Sequence, residues 1–236
     1  MTDTYPIAMD LRNAIPWESV TEAGGTPLLL VRHAETAWNR ERRMLGRTDL
    51  PLNDLGREQA DVLAAALAQT PLARVVSSPL SRAVQTATPV AATHGLPVDL
   101  DPDLTELDQG ALDGQRSADL LEPYADFFLA WRADPGQTRV PGGETLGECQ
   151  ARGLAALSRI AAASEPGPPV LVVTHQMVLA SVLCAVEGEP LRRYARYSQR
   201  NTTANLIGWR DGALYAVKLH LDAHLPPAPP PDRLAV

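Results

Sequence analysis

The chain has little of several residue types, and each shortage excludes a class of protein. Only two of its 236 residues are cysteine, Cys149 and Cys184, which is too few for a disulfide framework or a cysteine-rich metal site. We therefore predict two ordinary buried thiols. Neither cysteine has an arginine six positions later, which excludes cysteine-based phosphatase chemistry. Lysine occurs once, at Lys218, so arginine rather than a lysine loop must bind any phosphate.

Long apolar runs and an excess of positive charge are also lacking. No stretch approaches the roughly 18 apolar residues that cross a bilayer, so no membrane partner is predicted. Residues 1–25 carry several charges and no apolar segment, which argues against a secretory signal and, with the scarce cysteine, predicts a cytoplasmic setting. The net charge of −7 disfavours nucleic acid as a partner. A phosphate would need a local basic pocket.

The length suits one folded domain flanked by two irregular ends. We expect an irregular arm over residues 1–26, the domain itself over 27–225, and a proline-rich, disordered tail over 226–236. Strands are predicted at 27–32, 73–77, 96–100 and 169–174, with hairpin strands at 204–209 and 214–219. Helices are predicted at 54–69, 79–93, 117–132, 145–163 and 177–186.

Local signals support several of these elements. Ser78 is predicted to cap the helix that follows it, with Pro79 at its first position. Thr145 and Glu148 match a capping box. The pair at 211–212, Asp-Gly, predicts a tight hairpin turn. Because strands alternate with helices, we predict an α/β fold of three layers, α/β/α, with a mostly parallel central sheet.

Two histidines follow strands of this predicted sheet. Arg32 and His33 end the first strand, and His175 ends the strand at 169–174, 142 positions later. Ligands of such sheets bind beyond the carboxyl ends of the strands. Both histidines are therefore predicted to lie at the same edge, although a lone histidine near a strand end is more often structural.

Two further segments carry groups suited to an anion site. Arg82 lies in the first turn of a helix, where free N–H groups and the helix dipole already favour anions. Glu106 lies in a loop after a strand. Taken singly, each is more often a solvated surface residue.

Together these segments resemble the histidine phosphatase superfamily, with its phosphoglycerate mutase-like fold, over residues 27–225. The matching positions are Arg32-His33, Thr36, Asn39, Gly46, Pro51-Leu52, Gly56, Gln59-Ala60, the Ser-Ser-Pro-Leu block before Arg82, Glu106, Gly142-Gly143-Glu144-Thr145, His175 and His224-Leu225. Each block is weak alone. Their common order and spacing make the resemblance specific.

The resemblance implies a role for each matching residue. His33 is the expected nucleophile that takes the phosphoryl group, and Glu106 the proton donor to the leaving oxygen and then the base for water. Arg32, Arg82 and His175 are expected to form the phosphate pocket. Asn39 and Gly46 are expected to contact phosphate or substrate; Gln176, where the family usually has glycine, either contacts substrate or points away.

Physical chemistry supports these roles. Phosphoryl transfer spreads negative charge over three oxygens, which two arginines and a protonated His175 would stabilise. A neutral imidazole is a competent nucleophile if an acceptor, expected to be a backbone carbonyl, holds its other nitrogen. Glu106 must be protonated when it acts, so we expect its pKa to be raised. The mechanism requires no metal and no cofactor.

Three functions remain compatible with the resemblance. The first is a phosphatase of the histidine acid type that acts on a small phosphorylated metabolite. The second is a phosphoglycerate mutase, although the 69 positions between Glu106 and His175 match the short, phosphatase-type branch. The third is a non-catalytic binding protein, which would normally have lost one of the five key residues. A homodimer is left open.

An acidic run and an aromatic cluster are two further candidate sites. The run Asp99-Leu-Asp-Pro-Asp103 lacks the glycine and the terminal carboxylate that a calcium loop needs, so it is interpreted as an acidic turn. Four aromatic residues lie in the stretch 107–145 that is expected to wall the pocket. They are Tyr124, Phe127, Phe128 and Trp131. These side chains either select a substrate or form the apolar face of a helix, and we favour the helix face.

Overall fold

A six-stranded sheet forms the centre of the computed structural model, which describes residues 10–226. The strands are β1 (Thr26–Arg32), β2 (Arg74–Ser77), β3 (Val98–Leu100), β4 (Val170–Thr174), β5 (Ala204–Arg210) and β6 (Ala213–Leu221). Their order across the sheet is β3-β2-β4-β1-β5-β6. The first four are mutually parallel, while β5 runs antiparallel to both β1 and β6. The predicted mostly parallel α/β sheet is confirmed.

Helices cover both faces of this sheet. They are α1 (Trp17–Glu22), α2 (Ala37–Arg40), α3 (Asp54–Leu67), α4 (Ser81–His94), α5 (Ser117–Leu120), α6 (Ala125–Ala133), α7 (Leu146–Ala162) and α8 (Gln176–Val186). A hydrophobic core lies on each face of the sheet, and alternate side chains of β1 pack into one core or the other. Leu28 and Leu30 pack with α7 and α8, and Leu29 and Val31 pack with α3 and α4. The chain is therefore built in three layers.

The segment predicted as an irregular N-terminal arm is partly folded onto the domain. Its residues 17–22 form α1, and residues 1–9 lie outside the described part. Leu11 and Ile15 are buried in the core beside α3 and α4, and the Leu11 N–H donates to the carbonyl of Ala66 at 3.0 Å. The short apolar spacing around Leu11, Ile15 and Val20 was the signal that the prediction overlooked.

The single helix predicted over 117–132 is wrong. The structure has two short helices, α5 and α6, separated by a turn that contains Pro123. Proline has no N–H for a helical hydrogen bond and disfavours helical backbone in the residue before it, which is sufficient to interrupt the helix.

The start of α4 also differs from its prediction. The helix begins at Ser81, and Ser78 makes no capping bond to it. The carboxylate of Asp49, from a distant loop, instead accepts from the N–H and the hydroxyl of Ser81 at 2.6 and 2.7 Å. The hydroxyl oxygen of Ser78 accepts from the N–H of Leu80, before the helix, at 3.4 Å and also contacts His175.

Other local predictions are confirmed. Thr145 and Glu148 form a capping box at the start of α7. Asp211 and Gly212 both have positive φ, 53° and 83°, as the tight turn between β5 and β6 requires. Cys149 and Cys184 are buried free thiols.

Of the predicted tail, 227–236 lies outside the described residues. Within residues 10–226, no helix has the length and apolar character needed to cross a membrane.

Candidate active site

Two histidines lie side by side where β1 and β4 end. Arg32 is in register with Thr174, and the N–H of His33 donates to the carbonyl of Thr174 at 2.9 Å. This pairing brings His33 next to His175, with ring centroids 5.1 Å apart. The two residues that are 142 positions apart in the sequence thus share one edge of the sheet.

His33 is held in one tautomer. Its Nδ1 lies 2.7 Å from the carbonyl oxygen of Ala34, which can only accept, so Nδ1 carries the proton and Nε2 a lone pair. The ring is 2 % exposed. Burial, followed by the charges of Arg82 and Arg32, holds the pKa of His33 well below its ordinary value. A neutral imidazole with a free Nε2 lone pair results, and the expected backbone carbonyl acceptor is present.

Arg32 has a buried donor that no acceptor within residues 10–226 uses. Its Nη1 donates to the carbonyl of Gln199, while its buried Nε has no hydrogen-bond partner within residues 10–226. Burial lowers the pKa of Arg32 to about 10, with Glu106 acting in the opposite direction. The guanidinium therefore stays charged at neutral pH. A buried N–H without a partner costs free energy, so this donor is suited to an anion's oxygen.

Arg82 is fully buried and directed by three bonds. Its Nε donates to Nδ1 of His175 at 3.2 Å, and Nη1 and Nη2 donate to the carbonyls of Thr48 and Gly46 at 2.9 and 2.7 Å. A guanidinium has five N–H groups. One N–H on each terminal nitrogen therefore remains for another acceptor.

His175 is neutral here, and the prediction of a protonated ring is wrong. Since its Nδ1 accepts from Arg82, the proton is on Nε2, which lies 2.8 Å from the hydroxyl oxygen of Ser78. Burial, then the charge of Arg82, lowers the pKa of His175 well below its ordinary value. His175 accordingly orients Arg82, and the positive charge of the site comes from the two arginines.

Glu106 is buried beside the two arginines. Its Oε1 accepts from the backbone N–H of Leu107 at 2.8 Å and from that of Met177, at the start of α8, at 3.1 Å. Burial raises the pKa of Glu106, while these N–H groups and the charges of Arg82 and Arg32 oppose the increase. The expected direction of the shift is confirmed, and the carboxyl can hold a proton at a higher pH than an exposed one.

The three residues expected to contact substrate have other partners in the structure. Asn39 accepts through Oδ1 from the N–H of Thr36 at 3.0 Å and so caps α2. Gly46 binds Arg82 through its carbonyl. The side chain of Gln176 turns to the 197–199 segment, where it accepts from the N–H of Gln199 and donates to the carbonyl of Tyr197. Its alternative interpretation, pointing away from the pocket, agrees with this geometry.

Three of the four aromatic residues, Phe127, Phe128 and Trp131, lie on the apolar face of α6, which is the interpretation favoured from the sequence, and Tyr124 is the N-cap residue of this helix. Trp131 is buried in the core on α6, and Tyr124, Phe127 and Phe128 pack against the same core. The indole N–H of Trp131 donates to the hydroxyl of Tyr194 at 3.1 Å. The group anchors α6 to the molecule.

Residues missed by sequence reasoning hold the site together. Asn201 donates through Nδ2 to the carbonyl of His33 at 2.8 Å, from 168 positions away. Asp113 accepts from the N–H of Gly46 at 2.8 Å and from the N–H and hydroxyl of Thr48 at 3.1 and 2.9 Å. Since the carbonyls of both residues bind Arg82, Asp113 braces the loop that orients this arginine. An aspartate in a loop has no sequence pattern that would reveal this role.

Removing this brace should weaken anion binding. In Asp113→Ala, the 46–48 loop loses three hydrogen bonds to a carboxylate, and hydrogen bonds to charged groups contribute about 1.5–3 kcal/mol each. We expect the dissociation constant of inorganic phosphate to rise at least about tenfold, the effect of about 1.4 kcal/mol. Asp119→Ala, at an exposed position of α5, is the control. Equal affinity of both variants for phosphate would contradict the bracing role.

No group of three or more histidine, cysteine, aspartate or glutamate side chains within residues 10–226 is placed to hold a metal ion. The site within this part of the chain therefore consists of one neutral imidazole, two guanidinium groups, a second imidazole and one buried carboxyl. This set can bind a tetrahedral anion, attack it and supply a proton.

Comparisons with known proteins agree with this chemistry. Residues 28–222 match the family described as the histidine phosphatase superfamily, branch 1. Phosphoserine phosphatase 1 of Hydrogenobacter thermophilus is 30 % identical over 198 residues, which are 84 % of this chain and 93 % of the relative. A protein named probable phosphoglycerate mutase GpmB, from Yersinia pestis, is 34 % identical over 186 residues, or 77 % of this chain and 84 % of that protein.

A solved structure of a phosphatase has a similar fold. The native structure of a mycobacterial glucosyl-3-phosphoglycerate phosphatase superposes with a TM-score of 0.74 at 28 % identity, over 83 % of this chain and 99 % of that one. The relatives thus include proteins named as phosphatases and proteins named as probable phosphoglycerate mutases.

Proposed function

Because the chain belongs to the histidine phosphatase superfamily, we propose that it is a phosphomonoesterase that hydrolyses a small phosphorylated metabolite through a phosphohistidine on His33. One observation carries the proposal. The buried Arg32 Nε lacks a partner within residues 10–226, beside a histidine whose Nε2 carries a free lone pair. The charge of Arg32 acts on both His33 and Glu106, so a phosphoryl group bound by this arginine would lie near the nucleophile and the acid.

The first half of the reaction transfers the phosphoryl group to the enzyme. The Nε2 lone pair of His33 attacks phosphorus, and the bond from phosphorus to the ester oxygen breaks. Glu106 gives its proton to that oxygen, which leaves as an alcohol. Arg32 and Arg82 stabilise the charge on the three phosphoryl oxygens, with Arg82 oriented by His175.

The second half restores the enzyme. The Glu106 carboxylate takes a proton from water, whose oxygen attacks the phosphohistidine. The bond between phosphorus and His33 breaks, inorganic phosphate is released, and Glu106 is again protonated. Since the first step requires protonated Glu106, activity should fall as the pH rises through its raised pKa, which is the behaviour expected of an acid-type phosphatase.

A mutase is the second candidate, because a relative at 34 % identity is named a probable phosphoglycerate mutase. In a mutase, the phosphohistidine returns its phosphoryl group to a substrate hydroxyl rather than to water. The 69 positions between Glu106 and His175 favour the phosphatase, as a short connection leaves the intermediate more open to water.

The assay that tests the proposal uses the full chain with EDTA present. We expect phosphate release from p-nitrophenyl phosphate and from members of a metabolite panel that includes phosphoserine and glucosyl-3-phosphoglycerate. Interconversion of 3- and 2-phosphoglycerate stimulated by 2,3-bisphosphoglycerate, with little phosphate release, would select the mutase instead. Loss of activity in EDTA would contradict the metal-independent mechanism. The cytoplasmic setting stays a prediction.

A further inference from the structure

The loop that carries Glu106 has little regular structure of its own. Glu106 lies between short 3-10 turns at Pro102–Leu104 and Gly110–Leu112, and the intervening backbone forms neither helix nor strand. Backbone carbonyls in such a segment need partners from elsewhere in the molecule. The general acid depends on this segment for its position.

A single side chain of α7 supplies those partners. Arg152 donates through Nη1 to the carbonyls of Asp103 and Thr105, at 2.8 and 2.5 Å, and through Nη2 to the carbonyl of Glu106 at 3.0 Å. Three carbonyls in a run of four residues thus converge on one guanidinium. Its planar set of donors makes this arrangement possible.

The same guanidinium is fixed by a counter-ion that also holds the far side of the loop. Arg152 donates through Nε to Oε1 and through Nη2 to Oε2 of Glu144, each at 3.0 Å. Oε2 of Glu144 in turn accepts from the N–H of Asp108 at 2.9 Å. The ion pair therefore forms hydrogen bonds with the backbone on both sides of Glu106. Both partners are largely buried, with side chains 15 and 17 % exposed.

We propose that Arg152, held by Glu144, is a positioning residue that sets where the carboxyl of Glu106 meets the leaving oxygen. This inference rests on the proposed phosphatase function. The N–H groups of Leu107 and Met177 hold the carboxyl itself. They can direct it only if the Glu106 backbone stays in place, which is what the three carbonyl bonds secure.

Arg152→Lys is the variant that tests the role. Lysine keeps the charge but presents one compact ammonium, which cannot span three carbonyls and a carboxylate. Arg139→Lys is the matched control, since Arg139 pairs with Glu148 of the same helix, is exposed, and does not contact 103–108. Glu144→Gln, which removes the negative charge and one of the two oxygens that accept from Arg152 and the Asp108 N–H, serves as the second variant if Arg152→Lys does not fold.

The decisive measurement is the dependence of kcat/KM on the leaving group. For p-nitrophenyl phosphate, whose leaving group needs little protonation, we expect Arg152→Lys to stay within about threefold of the native chain. For an alkyl phosphate we expect a loss of at least about tenfold, part of the 10²–10⁴ that general acid catalysis supplies. In a Glu106→Gln background, Arg152→Lys should steepen the dependence no further. A uniform loss across leaving groups, or an added loss in the double variant, would overturn the proposal.

Amide hydrogen exchange provides a readout that does not need activity. Arg152→Lys should accelerate exchange in a peptide covering 103–108 and leave the peptide of β4 unchanged, whereas Arg139→Lys should alter neither. Unchanged exchange at 103–108 would refute the positioning role. If the native chain hydrolyses none of the phosphates, the proposed function fails, and exchange alone decides whether Arg152 holds the loop.

Discussion

The His33→Asn variant should lose at least about 10³-fold in kcat/KM toward every phosphate ester, a loss typical of deleting a covalent nucleophile. An asparagine Nδ2 can take the place of Nδ1 and still donate to the carbonyl of Ala34, so the change removes chiefly the Nε2 lone pair. The pocket of Arg32 and Arg82 would remain. Binding of inorganic phosphate, measured by isothermal titration calorimetry, should therefore persist while turnover is lost.

His220→Asn is the control for this variant. His220 is exposed on β6 and has a φ of 56°, a conformation that asparagine tolerates. It should keep native activity. Residual activity of His33→Asn within tenfold of the native chain would mean that another group, or water acting directly, attacks phosphorus.

The covalent intermediate provides a direct check on the same residue. After a brief reaction with labelled substrate, the native chain should carry phosphate in a linkage that survives alkali and is lost in acid, as expected for a phosphoramidate. His33→Asn should carry none. Mass spectrometry of the digested chain should place the label on the peptide that contains His33.

Glu106→Gln should divide substrates by leaving group. Glutamine is nearly isosteric but has no proton to give, so kcat/KM for alkyl phosphates, which reports the first step, should fall by about 10²–10⁴, the usual contribution of general acid catalysis. For p-nitrophenyl phosphate kcat/KM should be much less affected, whereas kcat can fall for both substrates because the attack of water also uses Glu106. Glu122→Gln, at an exposed position, is the control. Equal losses of kcat/KM for both substrates would argue against the acid role of Glu106.

The hydrolysis of alkyl phosphates should depend on pH through the protonation of Glu106. Burial raises the pKa of Glu106, so the native carboxyl is protonated at low pH and loses its proton as the pH rises through that pKa. Alkyl phosphate hydrolysis should decline over this range in the native chain. The decline should be absent in Glu106→Gln, because the amide does not titrate.

Glu106→Gln should not lower the stability of the fold at neutral pH, although it lowers activity. A group whose folded pKa lies above its unfolded value stabilises the fold fully below the unfolded pKa and loses that contribution as the pH rises through the folded one. At neutral pH the buried carboxylate is therefore unfavourable, and Glu106→Gln should have an equal or higher Tm than the native chain. Thermal unfolding at acidic and neutral pH measures this difference.

Much of the site was accessible from local patterns. The apolar run of β1 and the alternation of strands and helices predicted that His33 and His175 lie at the same edge of the sheet, and the structure has their ring centroids 5.1 Å apart. The position of Arg82 in the first turn of α4 was also predictable. Periodicity and turn chemistry act over a few residues, so they survive in a single sequence without any knowledge of distant contacts.

The charge state of the site was not accessible in this way. His175 is neutral because Arg82 donates to its Nδ1, and this bond joins residues 93 positions apart. Gln176 faces the 197–199 segment because that segment folds back beside the start of α8. The pKa of a buried group depends on burial and on neighbours that only the folded chain assembles.

By itself, the sequence determined that this chain builds a mostly parallel sheet and brings His33 to its edge with arginines and a carboxyl nearby. Only the tertiary structure decided how these groups are held: Asn201 against the His33 backbone, Asp113 beneath the Arg82 loop, and Arg152 across the loop of Glu106. The physical reason is the range of the interactions. Helix and strand signals are local, whereas these hydrogen bonds join residues 46 to 168 positions apart, and no repeat or spacing in the sequence encodes them.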